Sequence, residues 1–109
     1  MLNIRAYEEK DLDIAIGLIR LNTPKFFAKH EEQDFYDFLK NNIELYYVYA
    51  IEKKIIGCAG LNFSPDKKKA FLSWGMVHPE FQGKGIGKQM TNHRLEILKD
   101  MKEVKKIAL

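Results

Sequence analysis

Val77-His78-Pro79-Glu80-Phe81-Gln82-Gly83-Lys84-Gly85-Ile86-Gly87-Lys88 is the stretch of this chain whose residue types and spacing point most directly to chemistry. An extended apolar run stops at Pro79, a glycine-rich turn follows, and an amphipathic helix begins straight after it. Glycines at 83, 85 and 87 let backbone approach a ligand closely, because no Cβ stands in the way. The helix that follows aims unpaired N–H groups and the positive end of its dipole at the same spot. The combination is an anion cradle, with phosphate the best-fitting occupant. Lys84 and Lys88 add positive charge beside it.

The elements that must position this turn follow from hydrophobic period and turn chemistry. Leu2–Tyr7 reads as a short strand and Asp11–Leu21 as a helix with Leu12, Ala15, Ile16 and Ile19 on one stripe. Asn22-Thr23-Pro24 breaks that helix, since proline disfavours helical backbone in the residue before it. Residues 25–43 read as helix in two pieces, with Phe35, Phe38 and Leu39 at the spacing of a buried face. Tyr46–Glu52 and Lys54–Phe63 are rich in β-branched and aromatic residues and read as a hairpin, to which Lys69–Val77 adds a third strand. Gly75 inside that strand marks a bulge or a close backbone approach. A long helix is expected from Gly85 to Val104, with Ile86, Met90, Ile97, Met101 and Val104 on one stripe, and Lys106–Leu109 reads as a further strand. The order β-α-α-β-β-β-α-β predicts a mixed α/β domain over residues 1–109, with a mainly antiparallel sheet flanked by helices.

Composition narrows the function classes. With 109 residues, 46% hydrophobic and 12% aromatic, the chain can pack one modest core. The net charge of +3 is mild and the signs are mixed, which argues against a dedicated nucleic-acid surface. A lone cysteine, Cys58, excludes an internal disulfide and suits a reducing interior. No apolar stretch has membrane-spanning length, and Met1-Leu2-Asn3-Ile4-Arg5 lacks a signal-peptide layout, so a soluble cytoplasmic protein is expected.

The order of elements together with the Val77–Lys88 stretch resembles the GCN5-related N-acetyltransferases. Their signature is arginine or glutamine, two variable residues, glycine, one variable residue, then glycine or alanine; Gln82, Gly85 and Gly87 stand at the matching positions. The likeness runs from Leu2 to Leu109. Competing motifs fail. A dinucleotide fingerprint needs a third glycine where Lys88 stands, and a P-loop needs glycine at Gln82 and a hydroxyl at Gln89.

The resemblance implies an acetyltransferase that moves an acetyl group from acetyl-CoA to a primary amine of a small molecule or peptide by direct attack. Backbone amides of Gln82, Gly83, Lys84, Gly85, Ile86, Gly87 and Lys88 would hold the coenzyme pyrophosphate. The pantetheine arm would lie along Met76 and Val77, in a gap opened by the bulge at Gly75. One N–H near Val77 would stabilise the oxyanion. In the family the loop and helix matching Asn22–His30 shape the acceptor site, making Phe26, Phe27 and His30 candidates for substrate contact.

The base that deprotonates the amine is less legible. Family members often carry a glutamate on the bulged strand, and residues 71–77 here contain no acid. His78 is the titratable candidate, with Glu80 and Glu52 read as solvated, and water-relayed deprotonation stands beside it. Cys58 reads as a small buried hydrophobe, and Tyr46, Tyr47 and Tyr49 as sheet packing or a wall of the acceptor pocket. His30, His93 and Cys58 lack the spacing of a metal site.

Family members continue past the strand at Lys106 with a helix and two strands that cover one side of the coenzyme. Their absence here leaves three readings open: an N-acetyltransferase domain, a non-catalytic coenzyme A binding module, and a fragment that a partner chain completes. An exposed sheet edge would favour a homodimer.

Overall fold

The computed structural model describes residues 2–108. Strand β1 (Leu2–Ala6) leads through a 3₁₀ turn at Glu9–Asp11 into helix α1 (Leu12–Leu21). The buried Asp11 carboxylate ties this corner, accepting from the Glu8 N–H and from two Arg5 nitrogens, each at 2.8 Å. The Arg5 guanidinium holds that carboxyl below the ordinary aspartate range. Helix α2 (Glu31–Asn41) and the strands β2 (Leu45–Ile51), β3 (Lys54–Phe63) and β4 (Lys69–Val77) follow. A 3₁₀ turn at Pro79–Phe81, helix α3 (Ile86–Lys99) and β5 (Lys106–Ala108) complete the order.

The sheet runs β1-β2-β3-β4-β5, antiparallel throughout except for the parallel pair β4–β5, which α3 connects. This is the mixed α/β architecture expected from the order of elements, and β3 and β4 have the expected bounds.

Two helical expectations need correction. Residues 25–30 are turns rather than a first helical piece, because the Phe26 and Phe27 N–H groups both bond back to the Asn22 carbonyl. Helix α3 stops at Lys99, not near Val104. Beyond it the chain tightens into three-residue bonds, Met101 to Leu98 and Val104 to Met101, and turns back to meet β4. Of the last strand, Leu109 lies outside the described residues.

Each face of the sheet has its own core. Helices α1 and α2 lay Ala15, Leu18, Ile19, Phe35, Phe38 and Leu39 on Tyr46, Val48, Cys58 and Met76. Helix α3 covers the other face, with Ile86 and Met90 on Tyr49, Ile56 and Ala59, and Leu98 on Leu61 and Ala70. Its sheet-facing row is Ile86, Met90, Arg94, Leu98, spaced by four, so an arginine occupies a core position.

The bulge falls where the sequence puts it. Cys58 pairs with Met76 and Gly60 with Ser73, so Trp74 and Gly75 together oppose Ala59. The left-handed backbone lands on Trp74, at φ 38°, a conformation costing about 1–3 kcal/mol for such a residue. The Trp74 ring packs at 5.1, 6.1 and 6.2 Å from those of Phe35, Phe27 and Phe38. Aromatic pairs contribute about 0.5–1.5 kcal/mol each beyond their burial, enough in sum to offset the strain. The Tyr46 hydroxyl also donates to the Trp74 carbonyl at 2.6 Å.

Next to the bulge, Gly60 of β3 has no room for a side chain against β2: an added Cβ would collide with the Leu45 carbonyl and the Tyr46 ring, and stand 2.9 Å from the Tyr46 Cα. Gly60→Ala is therefore expected to cost about 3 kcal/mol, the upper end for an overpacked site, read as a lowered urea midpoint. An unchanged midpoint would contradict this packing.

Candidate active site

The end of β4 decides which backbone groups reach the open edge. The His78 N–H donates to the Ile56 carbonyl at 2.7 Å, so the alternation of a strand turns the polar groups of Val77 to the opposite side, away from β3. There the Val77 carbonyl accepts twice, from Asn22 Nδ2 at 3.1 Å and from Gln82 Nε2 at 2.9 Å. Gln82 Nε2 also donates to Asn22 Oδ1 at 2.8 Å, and Asn22 Nδ2 donates to the Leu18 carbonyl at 2.8 Å. All four amide hydrogens are thereby used. One buried asparagine joins the end of α1, the end of β4 and the start of the glycine turn.

The turn has the features of an anion site. Gly83 and Gly85 adopt left-handed backbone at φ 77° and 81°, where any side chain would be strained. Nothing lies within 4 Å of the Cβ positions of Gly83, Gly85 or Gly87, so the space in front of the turn is open. Helix α3 carries no acid in its first turn, whereas α2 neutralises its own N-terminus with Glu31, Glu32 and Asp34. The exposed Lys84 and Lys88 reinforce the positive potential at α3.

A cavity of about 740 Å³ runs from this turn along the edge of β4. Gly75, Met76 and Val77 form one side, Gln82 and Gly83 one end, and Gly87, Met90, Thr91 and Arg94 of α3 the other side. Asn22, Phe26 and Phe27 close it from the loop after α1.

Among the residues singled out from sequence, Met76, Val77, Gln82, Gly83, Gly87, Phe26 and Phe27 meet in this cavity. Lys84, Gly85, Ile86 and Lys88 belong to the same turn but lie off the lining; the Ile86 side chain is in the core, and the Lys84 ammonium sits 5.6 Å from the Phe81 ring centre. His30 directly precedes α2, away from the lining. His78 is also outside it. Its Nδ1 accepts from the Glu80 N–H at 3.1 Å and its Nε2 stands 3.8 Å from the Glu80 carboxylate, so the ring caps the 3₁₀ turn.

Sequence reasoning missed Thr91 and Arg94, and it placed Asn22 at the start of the acceptor-side segment without its role as a tether. Asn22 reads as a helix breaker, and its partners lie 55 and 60 residues away. Arg94 reads as one more basic residue of a solvated helix face. Among the described residues no His, Cys, Asp or Glu side chains group as metal ligands, and no helix is long and apolar enough to cross a membrane.

Comparisons place this geometry. A sequence model described as the Acetyltransferase (GNAT) family matches residues 15–109. The chain belongs to that family. The loading GNATL domain of CurA from Lyngbya majuscula superposes with a TM-score of 0.82 at 17% identity, covering 100% of this chain and 64% of that one. A GNAT-family acetyltransferase from Staphylococcus aureus Mu50 gives 0.77 at 16% identity, covering 94% and 69%. One from Brucella melitensis, in complex with acetyl-CoA, gives 0.76 at 20%, covering 91% and 69%. No curated protein matches in sequence.

Asn22→Ala is expected to cost about 1–3 kcal/mol, because it removes the side-chain partner of the Leu18 carbonyl and leaves one hydrogen of the Gln82 amide unpaired, the other still held by Val77. It should also speed amide exchange across 82–87. Slowed or unchanged exchange there, despite lost stability, would reduce Asn22 to a helix cap.

Proposed function

We propose that this domain is an N-acetyltransferase that takes its acyl group from acetyl-CoA and delivers it to a primary amine of a small molecule or peptide, in a cytoplasmic setting. The observation that carries the reading is the doubly held Val77 carbonyl beside an open glycine turn. It sets the last residues of β4 beside Gln82, Gly83 and Gly87 around one cavity.

The residues present fit the donor. Left-handed glycines, an acid-free helix start and an open cradle suit a diphosphate, with amides from Gly83 to Lys88 as donors; the Gln82 N–H, expected among them, instead donates to the Pro79 carbonyl at 3.3 Å. Lys84 and Lys88 raise the local concentration of an anionic donor from solution. At the open edge of β4 the Val77 N–H is left for an amide-bearing arm, since the Val77 carbonyl is already doubly held and Met76 pairs with Cys58 of β3. The donor supplies an activated thioester carbonyl: an amine nitrogen forms the new C–N bond there as the C–S bond breaks, the electron pair leaving on sulfur. We assign the Val77 N–H to polarising that carbonyl, since strand alternation aims it into the cavity. Phe26 and Phe27 are assigned to the acceptor side; His30, off the lining, is assigned no contact with the reacting centre.

Arg94 is the one ionisable residue of the cavity lining, and it cannot act as a base near neutral pH. We therefore assign deprotonation of the amine to water at the mouth, with His78 held by Glu80. The same observation favours a second reading, a coenzyme A binding module without turnover.

Thiol release from acetyl-CoA with a panel of amines separates the two. The background is low, because burial pushes the one thiol of the chain, Cys58, up to about 12. Amine-dependent release is expected, along with at least tenfold weaker coenzyme binding in Gly85→Asp, which sets a charge against the diphosphate. Binding without release would establish the module, and neither would overturn both.

A further inference from the structure

The strongest unexplained feature of the cavity is the guanidinium in its wall. Arg94 is 6% exposed, yet it stands in the α3 row otherwise filled by Ile86, Met90 and Leu98. Among the described residues no carboxylate lies within 4.0 Å of it; every ion pair formed involves other residues. Its hydrogen bonds are long: Nε to the Met90 carbonyl at 3.3 Å, Nη1 to the Gly60 carbonyl at 3.3 Å and Nη2 to Thr91 Oγ1 at 3.4 Å. A guanidinium has five N–H donors, so three are spent on neutral acceptors and two are left over. Burial lowers its affinity for the proton without removing its charge.

A buried charge without a counter-charge costs several kcal/mol. Position shows where an opposite charge can enter. A Cβ built on Gly75 would stand 3.5 Å from Nη2 and 3.7 Å from Nη1, so the fork lies against the bulge of β4 and opens on the cavity. Arg94 follows Gly87 by seven residues on α3, roughly 10 Å along the axis at 1.5 Å per residue. It is therefore remote from the glycine turn, and the anion it serves is not the diphosphate assigned to that turn. Met76, Met90 and Phe27 make the surroundings apolar, where a planar fork discriminates strongly between a carboxylate and a neutral group.

We propose that Arg94 is a carboxylate-binding residue, so that one of the two reactants meeting at the bulge carries a carboxylate close to its reacting atom. This rests on the transferase reading for the identity of the reactants. The carboxylate comes either from the acceptor, as in an amino acid with a free α-carboxylate, which keeps acetyl-CoA as the donor, or from the acyl chain of a carboxyacyl-CoA, which takes the place of acetyl-CoA in the transfer.

Three arms test it in wild type, Arg94→Met and Arg94→Lys. Calorimetry compares acetyl-CoA with malonyl-CoA and succinyl-CoA. Thiol-release kinetics with acetyl-CoA compare α-amino acids with their carboxamides. Thermal shifts compare succinate with succinamide and need no coenzyme. Wild type should prefer the carboxylate member of at least one reactant pair by roughly thirtyfold or more, the scale of one buried charge partner. Arg94→Met should abolish that preference and the succinate shift, and Arg94→Lys should restore it only in part. The arm that shows the preference identifies the source. Arg94→Met should also melt no lower than wild type, because an apolar chain of similar length replaces an unpaired buried charge. No preference in any arm, or a preference that survives Arg94→Met, would overturn the proposal. A succinate shift lost in Arg94→Met, in a chain that binds no coenzyme A, would contradict the transferase reading and leave the carboxylate site standing.

Discussion

The carbonyl of Val77 is the constraint on which the site depends. It is the last strand carbonyl of β4, and it faces the open edge because its neighbour His78 bonds to β3. A buried carbonyl without a partner costs about 1–3 kcal/mol, and here two amides supply one. Because those amides come from Asn22 and Gln82, satisfying one backbone oxygen also fixes the end of α1 and the first residue of the turn. The glutamine of the glycine motif thus works through its side chain as a tether, which leaves the main chain after it to face a ligand.

Behind that edge, the bulge is built against strain. Trp74 takes the left-handed conformation, and three phenylalanines and one tyrosine hydroxyl hold it there. Burial raises the Tyr46 hydroxyl well above the ordinary tyrosine range, so it stays a donor to the Trp74 carbonyl at any physiological pH. The aromatic core on the α1–α2 face and the cavity on the opposite edge are therefore parts of one arrangement. Among the described residues, β5 pairs with β4 only from Lys69 to Phe71, so the bulged end faces the cavity rather than another strand.

Much of this was legible because it is local. Turn residues and β-branched runs place β3 and β4 at their observed bounds, Gly75 marks the bulge, and the three alternating glycines announce the turn. What was not legible depends on distance in sequence or on a broken pattern. Asn22 acts through residues far along the chain, so nothing near it signals more than a helix end. The α3 stripe read from periodicity runs Ile86, Met90, Ile97, Met101, Val104, yet the buried row passes through Arg94 and Leu98. Apolar period has no means of placing a charge in a core. It also overruns the end of α3, because Met101 and Val104 pack against the sheet from turns rather than from helix.

Charge completes the picture. The starts of α1 and α2 carry their own acids and that of α3 is bare, flanked by lysines and glycines. The most direct measurement of the central claim is a coenzyme A titration of ¹⁵N-labelled protein followed by amide chemical shifts. The account predicts saturable shifts concentrated at residues 82–88 and at Met76 and Val77, with the amides of α2 unmoved. Shifts scattered over the lysine-bearing surface, with residues 82–88 unchanged at saturation, would contradict it.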